Sequence, residues 1–211
     1  MRRGLLFTGS ALIAAAAGML GCTDGPTGGG QLVPTGGPNL EVFDPPVEVN
    51  VLQRLTPLAR DYTASATIDR GGGTISIPEA GFSIDFPANS IAGGRKTLIT
   101  VTALAGSNVA YVFGPEGLVF HNNPMITQDL KGTEVFQNPA LRDALEGAYF
   151  PDVTYLGNGT ARIKETRPTV VDVNGWRMKF NIHHFSGYLS STGFRGGYIS
   201  SSGNRVPTFD R

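Results

Sequence analysis

The chain has 211 residues with 17 basic and 17 acidic side chains, so its formal net charge is zero. A chain without excess charge has no bulk field to attract nucleic acid or an anionic surface, which argues against both as partners. Its 29 glycines and 14 prolines are typical of an all-β protein with many turns. The length suits one ordinary domain plus a tether, and a single cysteine leaves that domain to be stabilised by core packing alone.

The N-terminal segment has the pattern of an export signal. Arg2 and Arg3 precede an uncharged apolar run, and Cys22 follows the small residue Gly21. A basic start, an apolar middle and a small residue at the processing point are features of a signal peptide, and the cysteine indicates the lipoprotein type. We therefore predict a signal peptide over residues 1–21 and lipidation of Cys22. The acyl chains attached there would supply the two signals that stable membrane anchoring requires.

Two other interpretations of this segment stay open. The signal peptide could be cleaved without lipidation, or the run could remain as a membrane anchor, because it just reaches the roughly 20 residues that a spanning helix needs. The many alanines and glycines of the run make it weakly apolar, which disfavours the anchor. The pattern predicts export to a bacterial cell envelope, and it does not distinguish the inner from the outer membrane.

The next segment, residues 22–50, is rich in glycine and proline and keeps no hydrophobic period. This composition predicts a flexible tether. A folded domain is expected over residues 51–190, because apolar and polar side chains alternate there in short runs between turn residues, as in half-buried strands. The runs are residues 74–77, 82–86, 97–103, 109–113, 118–120 and 125–130.

One helix is predicted after these strands. Asn138 is a favourable N-cap, Pro139 suits the first helical position, and residues 140–146 are strong helix formers that end at Gly147. The Ser- and Gly-rich residues 191–211 are predicted to form a loosely ordered tail.

Two Asn-Gly pairs predict β-hairpins. Asn158-Gly159 lies between residues 153–156 and 161–164, and Asn174-Gly175 lies between residues 169–171 and 176–182. Asn-Gly readily adopts the positive φ angles of a two-residue type I′ turn. Short strands at this spacing, with one short helix, predict an antiparallel β-sandwich.

The stretch from Gly73 to Ile91 resembles the opening of the ZU-five domain, a β-sandwich found in zonula occludens scaffold proteins, netrin receptors and ankyrins. It has a glycine-led strand, a Pro-x-x-Gly turn, a second strand and a proline-led step, in which Asn89 and Ser90 replace the family's Gly and Ala. The later Gly-Pro-Glu-Gly-Leu at residues 114–118 is similar to the family's Gly-Pro-x-Gly-Leu. The resemblance covers residues 72–130 best. It implies an antiparallel sandwich that serves protein interaction, without small-molecule catalysis.

His184, Phe185 and Ser186 form the tripeptide at which some ZU-five-containing scaffolds cut themselves, between Phe and Ser. The Ser186 hydroxyl would attack the Phe185 carbonyl in an N-to-O acyl shift, with His184 as general base, and water would hydrolyse the ester. This chemistry requires a strained turn. The alternative is a structural role, with Phe185 in the core and Ser186 in a bulge or turn.

No metal site or cofactor is predicted. His183 and His184 are neighbours, and neighbouring side chains of a strand point to opposite faces, so they cannot share one ion. His121 stands in a predicted loop, and no zinc-binding spacing is present. The strand aromatics are most simply core residues, namely Tyr111, Phe113, Phe120, Trp176 and Phe180.

The sequence thus predicts a membrane-anchored envelope lipoprotein that carries a non-catalytic interaction domain. A protein is the favoured partner, and an envelope glycan is the alternative. Two other functions are kept: self-processing between Phe185 and Ser186, and carbohydrate binding, which an exposed row of aromatic side chains would favour.

Overall fold

The computed structural model describes residues 40–195. Strands that pair antiparallel make up most of this part of the chain, and its one α-helix, α1, has a single turn. The strands are β1 Val42–Val51, β2 Gln53–Leu58, β3 Tyr62–Ile68, β4 Gly73–Ile77, β5 Phe82–Phe86, β6 Thr97–Ala103, β7 Gly106–Asn108, β8 Ala110–Gly114, β9 Met125–Asp129, β10 Glu146–Phe150, β11 Thr160–Arg167, β12 Thr169–Asp172, β13 Arg177–Asn181 and β14 Gly187–Phe194. The helices are α1 Glu134–Gln137 and the 3-10 helices Pro78–Ala80, Ala92–Gly94, Pro139–Ala144 and Val153–Tyr155.

The strands form two large sheets and one small one. The first has seven strands in the order β1-β11-β10-β14-β8-β6-β3, the second has five in the order β12-β13-β9-β5-β4, and β2 pairs with β7. Both large sheets contribute side chains to one continuous hydrophobic core. The predicted fold class, an all-β antiparallel sandwich with one short helix, is confirmed.

Strand β6 shows how the sequence pattern builds this core. Ile99, Val101 and Ala103 are fully buried, whereas Leu98 on the opposite face is 63% exposed. Successive side chains of a strand point to opposite faces, so the alternation in the sequence becomes one core face and one solvent face.

Strand β14 lies inside the seven-stranded sheet and also pairs with the edge strand β1. It pairs with β8 and β10 along its first half and with β1 through Val49↔Phe194 and Val51↔Ser191. Since β11 pairs with both β1 and β10, these four strands close into a ring. A second core fills it, formed by Phe43, Val49, Val51, Ala110, Ala148, Phe150, Ala161, Ile163, Leu189 and Phe194. Closure leaves no free strand edge within the ring.

Strand β1 lies largely in the segment for which composition predicted a tether. Pro45 and Pro46 fall where its pairing with β11 is irregular, between Val42 and Val47. Prolines donate no ladder hydrogen bond and are accommodated at such irregularities. The prolines therefore make the segment look like a tether in the sequence, although they do not prevent the strand from forming. At the other boundary, β14 extends to Phe194, beyond the predicted domain end at residue 190.

The predicted helix over residues 138–146 is wrong in its extent. Pro139–Ala144 forms a 3-10 helix, Glu146 already begins β10, and the α-helical turn α1 precedes Asn138. Residues 146–150 pair with β11 on one side and β14 on the other. Burial and pairing within the sheet thus override the local helix propensity.

The hairpin predicted at Asn158-Gly159 forms only at its turn, where Leu156 bridges Ala161 and the Gly157 N–H donates to the Thr160 carbonyl at 2.8 Å. Its predicted first strand is wrong, because residues 153–155 form a 3-10 helix and β11 pairs with β10 and β1. The hairpin at residues 169–182 is confirmed, because β12 pairs with β13. Its turn differs from a type I′ turn, because the pair Asp172↔Arg177 leaves four residues in the loop and the positive φ of 52° falls on Trp176.

Gly147 provides a test of how closely the two large sheets pack. A Cβ atom added there would lie 2.3 Å from the Phe180 ring of the facing sheet. We expect Gly147→Ala to lower the free energy of unfolding by about 1–3 kcal/mol, the usual cost of overpacking. Urea unfolding measures this, with Gly132→Ala as the control because its Cβ would meet nothing within 4 Å. Equal unfolding midpoints for the two variants would contradict the packing.

Candidate functional site

The tripeptide His184-Phe185-Ser186 lies where the chain passes from β13 of the five-stranded sheet to β14 of the seven-stranded sheet. Its backbone pairs with the segment that precedes Phe120. The Phe185 N–H donates to the Leu118 carbonyl at 2.8 Å, and the Gly117 N–H donates to the Phe185 carbonyl at 3.1 Å. The peptide groups on both sides of Phe185 are thus held by hydrogen bonds, and the chain bends at Phe185 and Ser186.

Phe185 lies in the core of the sandwich and is 1% exposed. Its ring stacks on Phe113, with ring centroids 5.1 Å apart, and meets Phe120 edge-on at 4.8 Å and Phe86 edge-on at 6.2 Å. Such aromatic pairs stabilise a core beyond the area that they bury. This is the position that the structural interpretation of the tripeptide predicted for Phe185.

The Ser186 side chain lies on the other side of the chain, beside the residues that follow β10. Its hydroxyl donates to the Pro151 carbonyl at 3.1 Å, and its own carbonyl accepts from the Phe113 N–H at 2.9 Å. Ser186 lines a cavity of about 150 Å³ together with Glu116 and Asp152. The hydroxyl therefore borders a space large enough for water molecules.

The His184 imidazole points toward β10 and β11. Its Nε2 atom lies 3.9 Å from Oε1 of Glu165, and its ring meets Tyr149 edge-on, with centroids 4.7 Å apart. The Tyr188 hydroxyl donates to the His184 carbonyl at 3.0 Å. Burial raises the pKa of Tyr188 to about 12, so this hydroxyl stays a donor throughout the physiological pH range.

Glu165 connects the imidazole to a buried cation. Its Oε2 atom lies 2.6 Å from Nη2 of Arg167, whose side chain is almost fully buried. Burial alone would raise the pKa of Glu165, but its interactions with the nearby His184 ring and with the charge of Arg167 outweigh burial and hold the pKa below its usual value. Glu165 is therefore a carboxylate at neutral pH, and it orients His184.

The base and the nucleophile have different partners. His184 and Ser186 flank Phe185, and the chain bends at Phe185 and Ser186. The hydroxyl donates to Pro151, and the imidazole faces Glu165. Among the residues from 40 to 195 other than glycine, positive φ angles occur only at Asn89 and Trp176, so Phe185 and Ser186 show no strain of that kind.

The three histidines have separate surroundings. The His183 ring is 2.8 Å from the Asn123 side-chain oxygen, His184 faces Glu165, and His121 borders a different cavity. Burial, followed by the charge of Arg167, lowers the pKa of His183. Across the described part of the chain, no group of three or more His, Cys, Asp or Glu side chains could hold a metal ion.

Four of the five aromatics that the sequence assigned to the core are buried there: Tyr111, Phe113, Phe120 and Phe180. The fifth, Trp176, is half-buried. Phe136 meets the Trp176 ring edge-on at 4.8 Å, and the Arg142 guanidinium lies over that ring at 5.1 Å. These five side chains therefore form no exposed row on which a sugar could stack.

Sequence reasoning missed Glu165 and Arg167. They lie two residues apart on β11, so they share a face of that strand, and this spacing is visible in the sequence. Nothing in the sequence places β11 beside residue 184. The prediction for Cys22 and residues 1–21 lies outside the described residues, and within 40–195 no helix has the length and apolar character needed to cross a bilayer.

No protein-family model matches this chain, and no curated protein sequence is significantly similar to it. The ZU-five resemblance therefore stays a prediction from the motifs of residues 73–91 and 114–118.

Proposed function

We propose that the protein is a bacterial envelope lipoprotein, anchored through Cys22, whose ZU-five-like sandwich is a non-catalytic interaction domain. The anchor is inferred from the signal pattern of residues 1–21, and its membrane is left open. A protein is the favoured partner, with an envelope glycan as the alternative. The observation that carries the non-catalytic assignment is that the Ser186 hydroxyl donates to the Pro151 carbonyl, whereas the His184 ring faces Glu165 at 3.9 Å.

The contacts of the tripeptide support this assignment. A general base must lie within hydrogen-bond reach of the proton that it removes, and here the Ser186 proton is directed at a backbone carbonyl. Phe185 is anchored by three ring contacts and by hydrogen bonds at both of its backbone groups. Such contacts are typical of a buried structural segment that connects two strands.

Self-cleavage between Phe185 and Ser186 is the second candidate, and one observation favours it. The Gly117 N–H donates to the Phe185 carbonyl oxygen at 3.1 Å, where it would stabilise the negative charge that develops when Ser186 attacks. The hydroxyl would have to leave Pro151, and His184 would have to turn from Glu165 to accept the proton. The cavity beside Ser186 would then hold the water that hydrolyses the ester.

Intact mass spectrometry of the C-terminally tagged protein, extracted from membranes and denatured, tests both functions. We expect one species that begins at acylated Cys22 and ends at the tag, and we expect Cys22→Ala to be unacylated. An unacylated species that begins at Met1 would contradict the lipoprotein assignment.

The same spectra decide between the passive and the self-cleaving domain. Two fragments, one ending at Phe185 and one beginning at Ser186, would contradict the non-catalytic assignment, provided that Ser186→Ala remains intact. Cleavage that persists in Ser186→Ala would point to another protease. His184→Ala is the matched second variant, because it removes the base and keeps the hydroxyl.

A further inference from the structure

A cavity of about 700 Å³ lies beside the loop that contains the 3-10 helix Ala92–Gly94. Four polar side chains line it, Arg70, Asn89, His121 and Asn122, together with the apolar residues Ile91 and Ala92. No residue of the tripeptide 184–186 contributes to this cavity. Its volume falls in the range of small-ligand sites, and nothing described above uses it.

Hydrogen bonds hold the polar lining in place. Nε of Arg70 donates to the Asn89 side-chain oxygen at 3.2 Å, and the Asn89 N–H donates to the Arg70 carbonyl at 3.0 Å. The Asn122 amide donates to the Ala88 carbonyl at 2.9 Å. Asn89 has a φ of 59°, an uncommon conformation for a residue with a side chain. The lining is therefore ordered before a ligand arrives, which lowers the cost of binding.

The charge of the cavity is positive. Arg70 is exposed, and its two terminal nitrogens donate to no residue between 40 and 195, nor does it form an ion pair there. No carboxylate lines the cavity. Arg95 and Lys96, both exposed, directly follow Gly94, so positive charge continues beyond the rim. A free guanidinium fork matches the two oxygens of a carboxylate.

We propose that this cavity binds an acidic segment of a protein partner, one carboxylate of which pairs with Arg70. The basic residues beyond the rim favour a segment with several acidic side chains over a single small anion. No Trp, Tyr or Phe lines the cavity, which disfavours a sugar ring. This inference rests on the proposed interaction function. It is independent of the lipid anchor and of any cleavage between Phe185 and Ser186.

The test is fluorescence anisotropy of the purified full chain with a labelled Gly-Asp-Gly-Glu-Gly peptide, and with Gly-Asn-Gly-Gln-Gly as the neutral control. We expect the acidic peptide to bind, the neutral one not to bind, and binding to weaken as salt is raised. Arg70→Gln should weaken binding at least about tenfold, the loss of one charge-assisted contact. Arg70→Lys should weaken it in part, because the charge stays and the fork is lost.

Arg177→Gln is the matched control, since it removes the same charge from an exposed side chain on β13. Equal losses for Arg70→Gln and Arg177→Gln would overturn the proposal in favour of a diffuse charge effect. Absence of binding, or equal binding of the neutral peptide, would also overturn it. If glucuronate binds through Arg70 and the acidic peptide does not, the partner is an acidic glycan and the protein-partner proposal fails. Intact mass spectrometry tests the lipid anchor and the cleavage separately from this binding experiment. Failure of the peptide-binding proposal can therefore be told apart from failure of the proposed function.

Discussion

Replacing Phe185 with alanine is expected to lower the free energy of unfolding by about 3–5 kcal/mol, the usual cost of emptying a phenylalanine site in a core. The Phe185 ring is 1% exposed and packs against three other phenylalanine rings. These rings come from both large sheets or from the segments that join them, so the site cannot collapse easily. Urea unfolding followed by tryptophan fluorescence measures the effect.

Phe136→Ala is the matched control for that measurement. Phe136 is 45% exposed and packs on Trp176 at the surface, so its truncation should cost much less. If the two variants unfold at similar urea concentrations, Phe185 is not the core anchor that its contacts indicate.

Glu146 should make the stability of the domain depend on pH. Burial, with a smaller contribution from the nearby charge of Glu41, raises the pKa of Glu146 from 4.5 to about 7. Because the folded state then binds the proton more tightly than the unfolded state, stability is highest below about pH 4.5 and falls as pH rises through 7. At about 1.4 kcal/mol per pH unit, the full loss is about 3 kcal/mol.

Glu146→Gln should remove this dependence. The variant is expected to match the wild type near pH 4.5 and to exceed its stability by up to about 3 kcal/mol at pH 8. Urea unfolding at a series of pH values measures both profiles, and Glu79→Gln serves as the control because Glu79 is exposed. Parallel profiles for the wild type and Glu146→Gln would show that Glu146 is charged in the folded state at ordinary pH.

The fold class could be predicted because it depends on local alternation. Strand β6 and the β12–β13 hairpin are visible in the sequence, since a period of two and a turn signal are local properties. The ring of β1, β11, β10 and β14 could not be predicted, because two of its four pairings join strands more than 100 residues apart, as in Val49↔Phe194. The helix over residues 138–146 failed because pairing of β10 on both sides decided the structure there.

The candidate site could likewise be predicted only in part. The sequence of residues 184–186 is enough to expect Phe185 in the core, where it is 1% exposed. The groups that decide their chemistry are Glu165, Pro151 and Gly117, and each comes from a distant part of the chain. No spacing in the sequence reports these contacts, so the tripeptide alone predicts a reaction without showing which groups would favour or oppose it.

The position of β14 has a consequence for any break in the chain before it. The strand begins at Gly187, directly after Ser186, and all eight of its residues are buried. It exchanges backbone hydrogen bonds with β8, β10 and β1, none of which a cut between Phe185 and Ser186 would remove. The released C-terminal piece would therefore stay bound as a second subunit. A nicked protein would migrate as an intact one in any native experiment, and only denaturation would reveal two chains.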